Sequence, residues 1–377
     1  MTKPRFLSLC NAPTSADDAA YIASTAGYNE IRNSVFDGNM FRARTNTGTN
    51  HLFSDRIWSN LNISIADLSE DIAAFEARNA EHSWDRLRYN FFYFNTFSTG
   101  GVSYDWFGTG MSSIVTHLKV AGEYAAKCGF TGIFMDTEPY GPSPWQYSLM
   151  PLKSKYTFRQ YERQVYDTAK YVVTYWLTVK PNMQIMFSSG YAYYWAYLDQ
   201  GFPPENNDYG FIRAWLNGIY DGMGEFFNPG YMNIQSTLGR HKTLEFPTAR
   251  IILSNEGGYG IEDREDETAY LELKESTLGI SDPRNKGDSI YFDKLTDFAL
   301  ALRADYNGSG SPNFDNTNPY SNWHTPESFV IPLGYAFTYD DWCWNFADEY
   351  FFFQYKPTIN SQYSDFIRTK RNEFLMW

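Results

Sequence analysis

Positive charge is scarce in this chain. Over 377 residues, 31 Lys and Arg face 44 Asp and Glu, a formal net charge of -13, and no stretch gathers cations. A protein that follows a phosphate backbone needs an excess of Lys and Arg on some face, so neither nucleic acid nor an anionic membrane surface is an expected partner. Long apolar runs are also missing: none approaches the roughly 20 residues of a membrane helix. Cysteine is limited to Cys10, Cys128 and Cys343, an odd number at wide spacing, which argues against a disulfide framework. The opening Met-Thr-Lys-Pro lacks the apolar core of a leader. The expectation is therefore an intracellular protein or a mature secreted form, with compartment and oligomeric state left open.

Several catalytic signatures are absent as well. The five histidines, His51, His82, His117, His241 and His324, show no paired metal spacing, so no metal and no cofactor are expected. There is no Gly-x-Ser-x-Gly elbow, no phosphate-cradling loop and no dinucleotide fingerprint; Gly257-Gly258-Tyr259-Gly260 has the wrong spacing.

What is abundant is aromatic side chains, 19% of the sequence, with 30 Tyr, 30 Phe and 11 Trp. A core absorbs Phe readily. Tyr and Trp in polar, Gly- and Pro-rich loops suit a ligand that is partly apolar and partly hydroxylated, as a carbohydrate is. On this reading Trp106, Tyr140, Trp145, Tyr193, Trp195 and Trp323 are expected to wall a binding cleft, with Asn255 beside them.

The order of elements reads as strand, helix, strand, helix. Arg5 to Cys10 is a first strand, followed by a helix from Ser15 through Ala26 and a second strand from Glu30 to Val35. A long polar loop from Asp37 to Trp58 comes next, and loops of that length are usually functional or disordered. Ser64 starts a helix, with Asp67 as its capping-box partner. Tyr89 to Asn95 is strand three, and a helix carrying Ile114, Leu118, Ala121 and Ala125 on one face leads to strand four. A helix from about Thr157 to Val179, strand five from Met183 to Ser188, and a helix from Asp208 to about Phe227 follow. Ala249 to Ser254 is strand six, Phe298 to Arg303 strand seven and Tyr350 to Tyr355 strand eight, with a Pro-initiated helix from Thr325 to about Asp340 before the last. The acidic run Glu262 to Glu267 complements the dipole of the helix it opens. Eight strands alternating with helices and no linker between halves predict an α/β fold, a single (β/α)8 TIM barrel with elaborated βα loops over residues 1–377.

Strand four is the centre of this pattern. Ile133-Phe134-Met135 is an apolar run of the kind buried in parallel sheets, and it stops at Asp136 and Glu138 before Pro139 and Gly141. Side chains alternate along a strand, so both acids leave its carboxyl end in the same direction. Strand six ends alike, in Asn255-Glu256-Gly257-Gly258. In a parallel barrel these ends share one face, two strands apart, where two acids can act on a single bond. Glu138 is the expected general acid, its pKa raised by an ionised Asp136 beside it, and Glu256 the expected nucleophile or base, with Glu225 on a helix as a lesser candidate. Such a pair points to glycoside hydrolysis.

The run Thr131-Gly132-Ile133-Phe134-Met135-Asp136-Thr137-Glu138 resembles a degenerate form of the strand-four signature of family 18 chitinase-like glycoside hydrolases, Asp-Gly-x-Asp-x-Asp-x-Glu, with Thr131 and Phe134 in place of its first two acids. The resemblance implies a (β/α)8 barrel, Glu138 as proton donor and Asp136 as the group that orients a substrate N-acetyl. More broadly the chain resembles barrel glycosidases. Three alternatives stand beside a two-carboxylate hydrolase: a carbohydrate-binding barrel without turnover, a substrate-assisted hydrolase of N-acetylated glycans, and a barrel lyase or isomerase using Asp136 and Glu256 with a divalent metal.

Overall fold

A computed structural model describes residues 5–10, 36–46, 52–81, 88–97, 105–229, 248–257, 261, 267–278, 289, 291–303, 318, 320, 324–340, 342–347, 363 and 365–369. Its centre is a closed barrel of eight parallel strands joined in chain order: β1 (Arg5–Cys10), β2 (Gly38–Phe41), β3 (Phe91–Asn95), β4 (Gly132–Asp136), β5 (Gln184–Phe187), β6 (Arg250–Asn255), β7 (Thr296–Arg303) and β8 (Trp342–Ala347). Closure is made by β1 against β8, from Arg5 opposite Trp342 to Cys10 opposite Ala347. The expected TIM-barrel class is the observed one.

Helices lie between the strands: α1 (Ser69–Glu81), α2 (Met111–Lys127), α3 (Phe158–Val179), α4 (Ala192–Asp199), α5 (Ile212–Phe227), α6 (Glu267–Leu278), α7 (Phe292–Leu295) and α8 (Pro326–Tyr339). Their sequence signals operate as local chemistry dictates. Ahead of α1, the Ser64 amide donates to Asp67 Oδ2 at 2.8 Å. At α3, Thr157 caps the amide of Gln160 while Gln160 returns a bond to the amide of Thr157. Val165, Ala169, Val172 and Trp176 of α3 are all buried, as are Ile114, Leu118, Ala121 and Ala125 of α2, so the 3.6-residue stripes face the barrel.

Two strands differ from the sequence reading. The second barrel strand is Gly38–Phe41, inside what reads as the start of a loop, and the eighth is Trp342–Ala347 rather than Tyr350 to Tyr355. Four residues beginning Gly-Asn carry little strand propensity. Gly38 is nevertheless required, because a Cβ there would lie 2.0 Å from the Tyr89 carbonyl oxygen. β8 hides because it follows α8 almost directly. The segments Glu30 to Val35, Tyr350 to Tyr355 and Ser15 to Ala26 lie outside the described residues, as does Trp323.

Inside the barrel, Leu7, Met40, Phe91, Tyr93, Phe134, Met186, Ile252, Ala299, Ala301, Trp342 and Trp344 form one packed cluster, separate from the larger core between strands and helices. The inward positions alternate along each strand, as the pleat demands. The same parity carries inward direction from Phe134 to Asp136, from Tyr93 to Asn95 and from Ile252 to Ser254. Phe134 stacks on Tyr93 at 5.5 Å and meets the edge of Trp344 at 5.3 Å. These rings are the floor on which the polar groups at the carboxyl end of the strands stand.

Among the described residues Cys128 and Cys343 are free and buried. No helix there is long and apolar enough to cross a membrane.

Candidate active site

Strand four delivers its two acids as the alternation requires, but into different surroundings. Asp136 is buried and held from several sides. Its Oδ1 accepts from the Ser188 hydroxyl and from the Glu138 amide, each at 3.1 Å, and its Oδ2 lies 2.8 Å from the Tyr93 hydroxyl oxygen. Burial raises the pKa of this carboxyl, opposed by the hydrogen bonds and by the nearby charge of Arg42. Arg42 also sits 5.1 Å from the centre of the Tyr93 ring.

Glu138 is half-buried at the rim, where the carboxyl of Glu256 is the neighbouring group that acts on it most. Burial pushes Glu138 up to about 10; the Glu256 charge and hydrogen bond add to this, and Asp136 contributes least. The ordering corrects the expectation that an ionised Asp136 is the cause. Asp136 is itself driven toward its neutral form by burial, so the effective neighbour is the acid two strands away.

The local structure explains how that contact arises. Strands lie about 4.8 Å apart, so β4 and β6 are about 10 Å apart across β5, a gap two glutamates reaching toward each other can close. The residues after β5 at the rim are small, Ser188 and Ser189. Ser188 Oγ accepts from the Thr137 amide at 2.9 Å, and Thr137 Oγ1 meets Ser189 Oγ at 2.7 Å. On the other side, Ser254 Oγ donates to the carbonyls of Phe187 and Ser188 at 2.5 and 2.9 Å. Serines thus tie the ends of β4, β5 and β6 together. Beyond β6, Asn255 does not face a cleft: its Nδ2 donates to Thr277 Oγ1 at 2.7 Å and its Oδ1 accepts the Gly257 amide at 2.7 Å, which fixes the turn that carries Glu256.

Of the rings expected to wall a cleft, three lie in the core. Trp106 and Trp145 are fully buried, packed with Trp58 and Trp215 at ring separations of 5.7 to 6.3 Å. Their indoles donate inward, Trp106 to the Pro144 carbonyl at 2.8 Å and Trp145 to Thr96 Oγ1 at 3.2 Å. Trp195 is buried because Tyr191–Trp195 is not a loop: it leads into α4, which turns that ring onto the core under Arg213. Tyr140 is 64% exposed, with Phe97 edge-on at 5.8 Å. Tyr193 is partly buried, and the charges of Glu256 and Glu138, after burial, push its hydroxyl up to about 12.

The sequence reading missed Tyr209, which stacks on Tyr193 at 5.1 Å and is raised by burial and then by Glu138. Nothing in its local sequence marks it. It also missed Tyr93, Asn95, Ser188 and Asp55, of which the first two were within reach of the strand-parity argument applied to β4. Glu225 is excluded from this group: on α5 it pairs with Lys170 of α3 at 2.6 Å. Among the described residues no cluster of three or more His, Cys, Asp or Glu is placed to hold a metal.

The strand pairing and these contacts define a closed parallel barrel with a paired-carboxylate rim. No family model matches the chain, and no curated protein matches it. The fold is similar to that of several solved structures at low identity. One is the 3-keto-D-glucoside 4-epimerase YcjR from E. coli, at 12% identity and TM-score 0.39, covering 97% of this chain and 98% of that one. Another is endonuclease IV from Thermus thermophilus, at 11% identity and TM-score 0.42, covering 98% and 100%. A third is a GH113 β-1,4-mannanase, at 8% identity and TM-score 0.44, covering 98% of each chain. Likeness at this level carries no argument about activity.

Proposed function

We propose that the chain is a glycoside hydrolase in which Glu138 is the general acid and Glu256 its carboxylate partner, acting on an oligosaccharide or polysaccharide without a cofactor. The single feature that carries this reading is the pairing of Glu138 with Glu256 at the carboxyl end of the barrel, where burial and then Glu256 push the Glu138 carboxyl up to about 10. One protonated and one ionised carboxyl at a single site is the state that acid-assisted glycosidic cleavage needs at neutral pH.

In this reading Glu138 gives its proton to the glycosidic oxygen as the bond from that oxygen to the anomeric carbon breaks. Glu256 then attacks the anomeric carbon, and water, deprotonated by Glu138, releases the sugar and restores both groups. Retention needs carboxyls about 5 to 5.5 Å apart and inversion about 6.5 to 9.5 Å, and the strong influence of Glu256 on Glu138 supports the smaller separation, with Glu256 as nucleophile. A substrate-assisted route through Asp136 is less favoured, since both its oxygens are already engaged. Tyr140, exposed, and Tyr193, partly buried, supply flat faces for sugar rings beside the pair, with Tyr209 stacked behind Tyr193.

The test is incubation of the purified protein with a broad glycan panel, with products identified by mass spectrometry and E138Q as control. The reading predicts cleavage products that E138Q fails to form. Binding without product would replace it with the carbohydrate-binding alternative.

A further inference from the structure

A chain of three hydrogen bonds runs from the barrel interior to the loop after β2. Asp136 Oδ2 lies 2.8 Å from the Tyr93 hydroxyl, that hydroxyl 2.5 Å from the Asn95 side-chain oxygen, and Asn95 Nδ2 2.7 Å from Asp55 Oδ1. Each contact needs one hydrogen between its heavy atoms. Tyr93 supplies one, and the amide of Asn95, which turns nitrogen to one neighbour and oxygen to the other, supplies one. Three contacts and two hydrogens leave one to be provided by a carboxylic acid at an end of the chain.

Turning the Asn95 amide over does not change this count. With its nitrogen toward Asp55, the Tyr93 proton goes to Asn95 and the contact with Asp136 needs a proton on Asp136. With its nitrogen toward Tyr93, the Tyr93 proton goes to Asp136 and the contact with Asp55 needs a proton on Asp55. Asp136 is buried at 6% exposure, Tyr93 and Asn95 at 5%, whereas Asp55 is only half-buried, so the neutral carboxyl belongs at Asp136. Its Oδ1 already accepts two bonds, which leaves Oδ2, facing Tyr93, as the seat of the proton.

We infer that Asp55 is a positioning residue that, through Asn95 and Tyr93, fixes Asp136 in its acid form and so leaves Glu256 as the charged partner of Glu138. The other groups facing this unit are Arg42, whose charge opposes a neutral Asp136, with Glu138 at the rim and Tyr209 beyond it. The shift of Asp136 under burial agrees in direction with the proton count. While Asp55 accepts from Asn95, loss of the Asp136 proton forces two acceptors against each other within 2.8 Å. Replacing Asp55 by Asn removes that constraint, because an amide at position 55 can turn to donate, letting Asn95 donate to Tyr93 and Tyr93 to an ionised Asp136.

The role assigned to Glu138 rests on the proposed hydrolysis, but the readout does not involve turnover. The full chain, carrying 13C at aspartate Cγ, is titrated by NMR, with the Asp136 signal assigned by its loss in D136N. Wild-type Asp136 is expected to remain in its acid form at pH 7. In D55N its midpoint falls by one pH unit or more, about the difference one satisfied hydrogen bond makes. In Y93F the chain is cut, and adding D55N moves the midpoint no further. Should D55N not fold, Asp55→Ser offers a hydroxyl that turns in the same way. An ordinary acidic midpoint for wild-type Asp136, an unchanged midpoint in D55N or D55S, or a D55N effect that persists in Y93F would each overturn the inference. Failure to cleave glycans would not touch it.

Discussion

Glu138, just past the end of β4, and Glu256, just past the end of β6, act on each other across the strand that separates them, and after burial Glu256 is what raises the Glu138 carboxyl most. Burial and a neighbouring carboxylate both favour the protonated form of a carboxylic acid, and the site supplies both to Glu138.

Replacing Glu138 by Gln keeps the shape and removes the proton. Under the proposed function, kcat on a cleaved glycan should fall by about 10²- to 10⁴-fold, the usual worth of a general acid. KM should change little. Steady-state kinetics on the purified variant decide it, and activity within a few-fold of wild type would remove Glu138 from the mechanism.

Glu256→Gln removes the charge that, after burial, does most to raise Glu138. The Glu138 midpoint, at about 10 in the intact pair, is expected to drop by at least one unit in this variant. Carboxyl NMR of 13C-glutamate protein measures it directly, and any residual turnover should lose its alkaline limb at correspondingly lower pH. An unmoved midpoint would mean the two acids are not in contact in solution.

Stability should depend on pH in a direction set by the same pair. Glu138 lies at about 10 when folded against an ordinary 4.5, so between those values the folded state binds more protons than the unfolded one. Stability is then complete below about 4.5 and is lost as pH rises toward 10. Calorimetric Tm should decline from pH 5 to pH 9 in wild type and flatten in E138Q, which should melt roughly 2 °C or more above wild type at pH 8. A wild-type Tm that climbs over this range would contradict the raised carboxyl.

Exposed and buried aromatics should separate cleanly. Tyr140→Ala is expected to leave Tm within about 1 °C of wild type while weakening glycan binding. Trp145→Ala, in the buried cluster with Trp58, Trp106 and Trp215, should lose roughly 3 to 5 kcal/mol of stability. Thermal melts and glycan titration of both variants provide the comparison, and equal effects on binding would return Trp145 to the cleft.

Gly132 opens β4 under its partner's backbone: a Cβ there would lie 1.8 Å from the Gln184 carbonyl oxygen. Gly132→Ala should therefore lose roughly 3 kcal/mol, through a shift of β4 against β5 rather than through any contact with substrate. A denaturant midpoint indistinguishable from wild type would show that the two strands part without penalty.

The sequence by itself determined the barrel and the place of Asp136, Glu138 and Glu256 at the carboxyl ends of two of its strands, because both depend on local periodicity. Apolar runs capped by acids at Asp136, Glu138 and Glu256, alternating with 3.6-residue stripes such as Val165, Ala169, Val172 and Trp176, allow few arrangements other than parallel strands with their acids on one face. Strand positions failed where local preference is weak, at Gly38–Phe41, or where a neighbouring aromatic run looked stronger, at Tyr350 to Tyr355. Partners far apart in the chain were a different matter. That Trp106, Trp145 and Trp195 pack inward while Tyr209 comes under the influence of Glu138, that burial raises Asp136 and leaves it the smallest of the influences on Glu138, and that Asp55 reaches Asp136 through Asn95 and Tyr93 were decided only by the tertiary structure. Side-chain burial and hydrogen bonds between residues about 40 or more positions apart follow from how the strands and loops close in space, which no window of sequence contains.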